Sequence, residues 1–144
     1  SVIDPKLLFR DYRYLSSVGL SNHFEGVADL LNERYDVRDK NILEIGCNDG
    51  VLLEPLQKLG AIVEGVDPAI NVVKLAKNKG LQVYNDFFDE TTFGDDKFKS
   101  KYDLVISNNT FVHIHETWYD YCRFRGDTNS LRFYSCYRSK PKYI

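Results

Sequence analysis

Glu44-Ile45-Gly46-Cys47-Asn48-Asp49-Gly50 sets two acids and two glycines within seven residues, at the end of the apolar run that begins Asn41-Ile42-Leu43. Gly46 and Gly50 flank a turn where a side chain would either hold a ligand off the backbone or strain a positive φ. Asp67 lies 17 residues past Gly50, at the end of a second apolar run. A carboxylate there can accept hydrogen bonds from both hydroxyls of a ribose. Asn48 stands where the dinucleotide fingerprint G-x-G-x-x-G needs its central glycine to admit a pyrophosphate. Glu44 and Asp49 would also repel a diphosphate at a helix N-terminus, whereas they attract a cation. These residues suit a ribose-bearing ligand with positive charge and no phosphate. S-adenosylmethionine, with its sulfonium and its amino group, fits that description and NAD does not.

The elements that must position these residues alternate along the chain. Phe24, Val27, Ala28, Leu31 and Tyr35 recur at helical spacing and predict an amphipathic helix over Asn22–Tyr35. Residues 41–45 read as a short buried strand, and 50–60 as a helix ended by Gly60, with Pro55 removing one hydrogen bond. Residues 61–67 are a second strand. Residues 68–80 are a helix with Asp67 as N-cap, Pro68 at its first position and Gly80 as C-cap. Residues 81–85 are a third strand, and Asp103–Ser107 a fourth. Strand–helix alternation implies parallel pairing with right-handed crossovers. The expected fold is an α/β Rossmann-like sheet with ligands beyond the carboxyl ends of its strands. Those ends carry the 46–50 turn, Asp67, the "YNDFF" stretch at 84–88 and the "SNN" stretch at 107–109.

Composition narrows the classes. A chain of 144 residues with 43% hydrophobic and 28% charged residues is that of a single soluble domain. It contains neither an apolar run of membrane-spanning length nor a basic-then-apolar start. Cys47, Cys122 and Cys136 are an odd count with no metal-ligand pairing, which points to a reducing, cytoplasmic setting. The absence of any Met reads as a processed, excerpted or edited piece. Residues 1–116 carry 13 Lys/Arg against 19 Asp/Glu, while residues 117–144 carry six against two and hold five of the ten tyrosines. Basic–aromatic mixing is used by single-strand nucleic-acid binders, but the charges here follow no helical or strand period, which disfavours that partner.

With these residues laid out, a family resemblance follows. Glu44–Gly50 resembles the E-x-G-x-x-x-G first motif of class I S-adenosylmethionine-dependent methyltransferases. More narrowly, "LEIGCNDGVLLEPL", "GVDPAINVVKLAKNKGL" and "NNTFVHI" resemble the sugar C-methyltransferases of deoxysugar biosynthesis, and "YRYLSSVGLSNHF" is similar to that family's segment leading into the methyltransferase domain. The resemblance covers about residues 12–115. It divides the chain into a lead-in at 1–21, a partial S-adenosylmethionine-binding Rossmann-like domain at 22–116, and an atypical basic and aromatic tail at 117–144.

The resemblance implies roles. Gly46 and Gly50 would let the methionine end and ribose of the cofactor approach, with Asn48 and Asp49 in the same turn and Glu44 holding the amino end. Asp67, followed by Pro68, would bind the ribose; Asp86 and Phe87 would face the adenine; Asn108 would line the methionine part. Members of the family deprotonate a 4-keto nucleotide-sugar at C3 and methylate the enolate, which needs a general base within hydrogen-bond reach. The resemblance places His113 at a catalytic histidine, and Tyr14 or Tyr12 at an acid/base tyrosine.

Other readings compete. His113 and Tyr14 also fit simple packing. Cys47 at a helix N-terminus would have a lowered thiol pKa but has no catalytic partner in view. His113, His115 and Cys122 lack a fourth ligand at metal spacing, so no metal site is expected. After His113 the family continues with a helix, a fifth strand and a further domain. Here residues 116–144 show neither helix periodicity nor a buried strand, as in a truncated or altered end. The alternative functions are a non-catalytic S-adenosylmethionine-fold module and an O- or N-methyltransferase acting on another small molecule.

Overall fold

The computed structural model describes residues 17–88, 101–107 and 132–135. Five strands form one sheet: β1 (Asn41–Ile45), β2 (Ile62–Val66), β3 (Gln82–Tyr84), β4 (Leu104–Ser107) and β5 (Arg132–Ser135), in the order β3-β2-β1-β4-β5. Every pair is parallel. Helices α1 (Ser17–Tyr35), α2 (Leu53–Lys58) and α3 (Ile70–Asn78) accompany them. The chain steps outward from β1 to β2 to β3, then returns to β4 on the other side of β1. That reversal puts a crevice at the carboxyl ends of β1 and β4, where open parallel sheets bind ligands.

Both sheet faces are buried, which is why the strands read as continuous apolar runs rather than alternating ones. On one face Ile42, Val63, Val83, Leu104 and Ile106 pack with Leu53 and Leu56 of α2, Val73 and Ala76 of α3, and Phe24, Ala28 and Leu31 of α1. The other face buries Leu43, Ile45, Val66, Tyr102 and Val105. There Glu64 is held from two sides, accepting from Lys101 Nζ at 2.7 Å and from the Tyr102 hydroxyl.

Three expectations change. The first helix starts earlier than Asn22 and is broken by non-helical backbone at Val18 and Gly19, the latter at φ +77°. The helix after β2 begins at Ile70 with Ala69 as N-cap, not at Pro68 with Asp67 as cap. The Asp67 carboxylate does accept from the Ala69 N–H, at 2.9 Å, but as a turn contact before the helix. The third change is β5. Residues 116–144 were expected to hold no strand, yet Arg132–Ser135 pairs parallel with β4, Leu104 opposite Arg132 and Ser107 opposite Ser135. Four residues paired through their backbones need no long apolar pattern, and Phe133-Tyr134 has high strand propensity.

Pro55 removes its one bond as expected. Glu54 N–H donates to the Gly50 carbonyl and Leu56 N–H to the Leu52 carbonyl, so the helical ladder continues on either side.

Candidate active site

The turn after β1 is fastened to the end of β2 by its own backbone. The N–H groups of Gly46 and Cys47 both donate to the Val66 carbonyl, at 2.8 and 3.3 Å. Asn48 N–H donates to Asp67 Oδ2 at 2.9 Å. Asn48 sits at φ +50°, which Asn tolerates better than most residues, and its own side-chain oxygen accepts from the Asp49 N–H. From the end of α3, Lys79 Nζ donates to the Asp49 carbonyl at 2.9 Å and pairs with Glu54. Asp67 N–H donates to the Tyr84 carbonyl, and the Asn85 side chain donates to the carbonyls of Asp67 and Pro68, both at 3.1 Å. The ends of β1, β2 and β3 are thereby locked together.

Gly46 and Gly50 take φ of +71° and +81°, as the turn requires. At Gly50 an added Cβ would also collide with Leu81 Cδ1, so a bare backbone there serves packing beside α3 as well. Gly65, which sequence reasoning passed over, has a clearer part. A Cβ there would lie 2.5 Å from Cys47 Sγ and 2.8 Å from Leu53 Cδ1. Its bare backbone lets the turn fold down on β2. A glycine inside a strand marks such an approach and was a usable signal. Asn85 was missed in the same way, hidden within "YNDFF".

The electrostatics of the site are unusual. Glu44, Asp49 and Asp67 are 3%, 2% and 8% exposed. Burial pushes the Glu44 carboxyl well above the usual carboxylate range, and Asp67 and Asp49 push it the same way. Burial also raises Asp67, opposed by the Ala69 and Asn48 N–H groups that favour its ionised form. Glu44 Oε2 is buried without a hydrogen-bond partner, as is Ser107 Oγ at the end of β4, among the described residues. Cys47 is corrected: α2 starts six residues later, at Leu53, and burial and the neighbouring acids push its thiol up rather than down. It is a packed, neutral thiol.

Of the other expected site residues, Asp86 and Phe87 follow β3, with Asp86 Oδ1 accepting from the Phe87 N–H at 2.8 Å. Asp86 is exposed, and Phe87 and Pro68 are half-buried. Asn108, His113, Tyr14, Tyr12, His115 and Cys122 lie outside the described residues. Among the described residues there is no His/Cys/Asp/Glu group able to hold a metal, and no helix is long and apolar enough to cross a membrane.

A five-strand parallel sheet in this order, with an acid-and-glycine turn after β1 and an acid at the end of β2, is the doubly wound arrangement that places ligands beyond the carboxyl ends of the strands. The model for the "methyltransferase domain" aligns with residues 20–124. The chain belongs to this family. Family and fold together make it a class I S-adenosylmethionine-dependent methyltransferase domain. Among curated relatives, C-methyltransferase NovU of Streptomyces niveus is 38% identical over 84 residues, covering 56% of this chain and 20% of the relative. A ubiquinone biosynthesis O-methyltransferase of Bartonella quintana is 36% identical over 118 residues, covering 77% of this chain and 47% of the relative. The chain thus spans less than half the length of either. The magnesium protoporphyrin IX methyltransferase of Synechocystis, solved with bound S-adenosylmethionine, shares the fold at a TM-score of 0.59 and 21% identity, over 80% of this chain and 66% of that one.

The residues of this methyltransferase domain fit the cofactor that the family implies. A buried acid with an unpartnered oxygen, flanked by two further acids, is a receptor for a cation and a poor one for a phosphate. Each Asp67 oxygen makes one described bond and keeps a second acceptor site, enough for a pair of hydroxyls.

Proposed function

We propose that this domain binds S-adenosylmethionine at the carboxyl ends of β1, β2 and β3 and transfers its methyl group to carbon 3 of a 4-keto nucleotide-sugar. The observation that carries the cofactor half is the buried, partner-free Glu44 Oε2 between Asp49 and Asp67. In this reading Glu44 receives the amino end, Asp67 the ribose hydroxyls, and Asp86 with Phe87 the adenine; the cofactor supplies an electrophilic methyl on a sulfonium. The chain's own task is alignment: the locked turn holds the ligand in one pose while the acceptor carbon meets the methyl in line with sulfur. His113 serves as the base at C3, Tyr14 steadies the enolate oxygen, and Asn108 borders the methionine part.

The sugar half is supported by the four sequence segments named above and by the likeness to C-methyltransferase NovU. A second reading, methyl transfer to oxygen of another small molecule, draws on the longer alignment with the Bartonella O-methyltransferase.

Calorimetric titration with S-adenosylhomocysteine and with NAD tests the cofactor half. The homocysteine nucleoside should bind the wild type more tightly, and Asp67→Ala should lose on the order of 1.5–3 kcal/mol of that affinity. Tighter binding of NAD, or indifference to the substitution, would overturn the reading.

A further inference from the structure

We propose that cofactor capture by this domain is coupled to release of a proton from Glu44, whose carboxyl is neutral in the free site and ionises as the ligand's positive charge arrives. The inference rests on the cofactor reading above and adds a proton to its stoichiometry.

The geometry leads there through the surroundings of Glu44. Glu44, near the end of β1, Asp49 in the turn and Asp67 past β2 are all more than nine-tenths buried. A carboxyl buried beside two further acids is driven toward its neutral form unless a cation lies beside it. Asp67 has two backbone donors, Asn48 on one oxygen and Ala69 on the other, and both favour its charged form. Glu44 Oε2 has no donor. Among the described residues, no Lys, Arg or His pairs with Glu44. The nearby cation, Lys79, is committed to the Asp49 carbonyl and to Glu54. The remaining titratable neighbour, Cys47, is buried and held neutral. Buried, with no donor on Oε2 and no cation beside it, Glu44 keeps its proton, and its elevated titration agrees.

A ligand ammonium or sulfonium reverses that balance. Its charge favours the carboxylate, so the O–H bond of Glu44 breaks and the proton passes to solvent. The carboxylate then accepts a hydrogen bond from the ligand's N–H, and the ligand keeps its own charge throughout. The empty site carries no uncompensated charge at Glu44, and the filled one contains an ion pair. A neutral or anionic nucleoside cannot drive the exchange, so the same residue that admits the cofactor also discriminates against NAD.

The test is calorimetry of S-adenosylhomocysteine binding, at one pH, in buffers of different ionisation enthalpy. The wild type should release up to about one proton per ligand, and affinity should rise by up to about tenfold per pH unit while the free site is protonated. Glu44→Gln, which copies the shape of the neutral acid, should bind without any buffer dependence. Buffer-independent heats in a wild type that binds the ligand would overturn the coupling while leaving the cofactor reading intact. Equal proton release by Glu44→Gln would also overturn it, because the proton would then come from another group. Failure of the wild type to bind would overturn both. Should Glu44→Gln fail to fold, carbon-13 NMR of the Glu44 carboxyl in the wild type, free and bound, decides. A change to the ionised chemical shift on binding supports the coupling, and an unchanged shift ends it.

Discussion

The backbone N–H of Asn48 donates to Asp67 Oδ2 at 2.9 Å, so the residue expected to grip the ribose is also the clasp that holds the glycine turn against β2. Its other oxygen fixes the Ala69 N–H ahead of α3. One carboxylate thus satisfies two buried backbone donors from two connections, one on each oxygen, which an amide cannot do because one of its two terminal atoms is a donor.

Asp67→Asn should therefore lower stability even with no ligand present. One of the two N–H groups would face an NH2 group, and a buried donor without an acceptor costs about 1–3 kcal/mol. Urea unfolding of the variant should show a lower midpoint at an unchanged slope. An unchanged midpoint would mean that Asp67 contacts the turn without supporting it.

Gly65→Ala should be at least as damaging, although Ala suits a strand better than Gly. The added carbon would stand 2.5 Å from Cys47 Sγ and 2.8 Å from Leu53 Cδ1, closer than real contacts allow. Overpacking of this kind typically costs about 1–3 kcal/mol. Because the collision is with the turn, affinity for S-adenosylhomocysteine should fall together with the melting temperature. A variant as stable as the wild type, with intact binding, would show that the turn has room to lift.

How much of this was legible beforehand depends on what carried each feature. β1, β2 and β4 were legible because strands buried on both faces are apolar throughout, and the acid-glycine turn because its residue types are restrictive. The start of α3 was not. Asp67-Pro68 reads equally well as a cap and first helical residue, and only the fold shows Asn48 drawing that carboxylate into the site. Gly50 had the expected positive φ, but the closeness of Leu81 to its Cβ position could be seen only in the fold. β5 was hidden because four residues paired by backbone leave little pattern to detect.

Glu44 should give the free protein a recognisable pH dependence. Its folded value is raised above the unfolded carboxylate value of about 4.3. For a group raised in this way, the stabilising contribution is complete below the unfolded value and is lost as pH rises through the folded one. The wild type should therefore lose stability relative to Glu44→Gln across that window, and added S-adenosylhomocysteine should restore it. Parallel melting curves for the two proteins at every pH would remove Glu44 as the responsible group.

The correction at β5 makes a direct prediction. In a parallel pair, alternate residues of an outer strand send their N–H groups toward the neighbour. Hydrogen exchange should thus be slowed at alternate amides within Arg132–Ser135, less strongly than in β1, which is paired on both sides. Uniformly fast exchange over these four residues would mean that the strand is not formed in solution.

The last prediction follows from the proposed chemistry at carbon. If the acceptor is a 4-keto nucleotide-sugar, a base must remove the C3 proton before any methyl moves, so solvent exchange should be separable from transfer. His113 is the first candidate, because a neutral imidazole titrates near working pH, and Tyr14 is the second, as a phenol able to stabilise the enolate oxygen. With such a sugar in heavy water and no methyl donor, deuterium should enter at C3, and His113→Ala should slow that entry by roughly 10²–10⁴-fold. Unchanged exchange with slowed methylation would reduce His113 to a positioning role. An absence of exchange in the wild type would favour transfer to oxygen, the direction in which the Bartonella relative points.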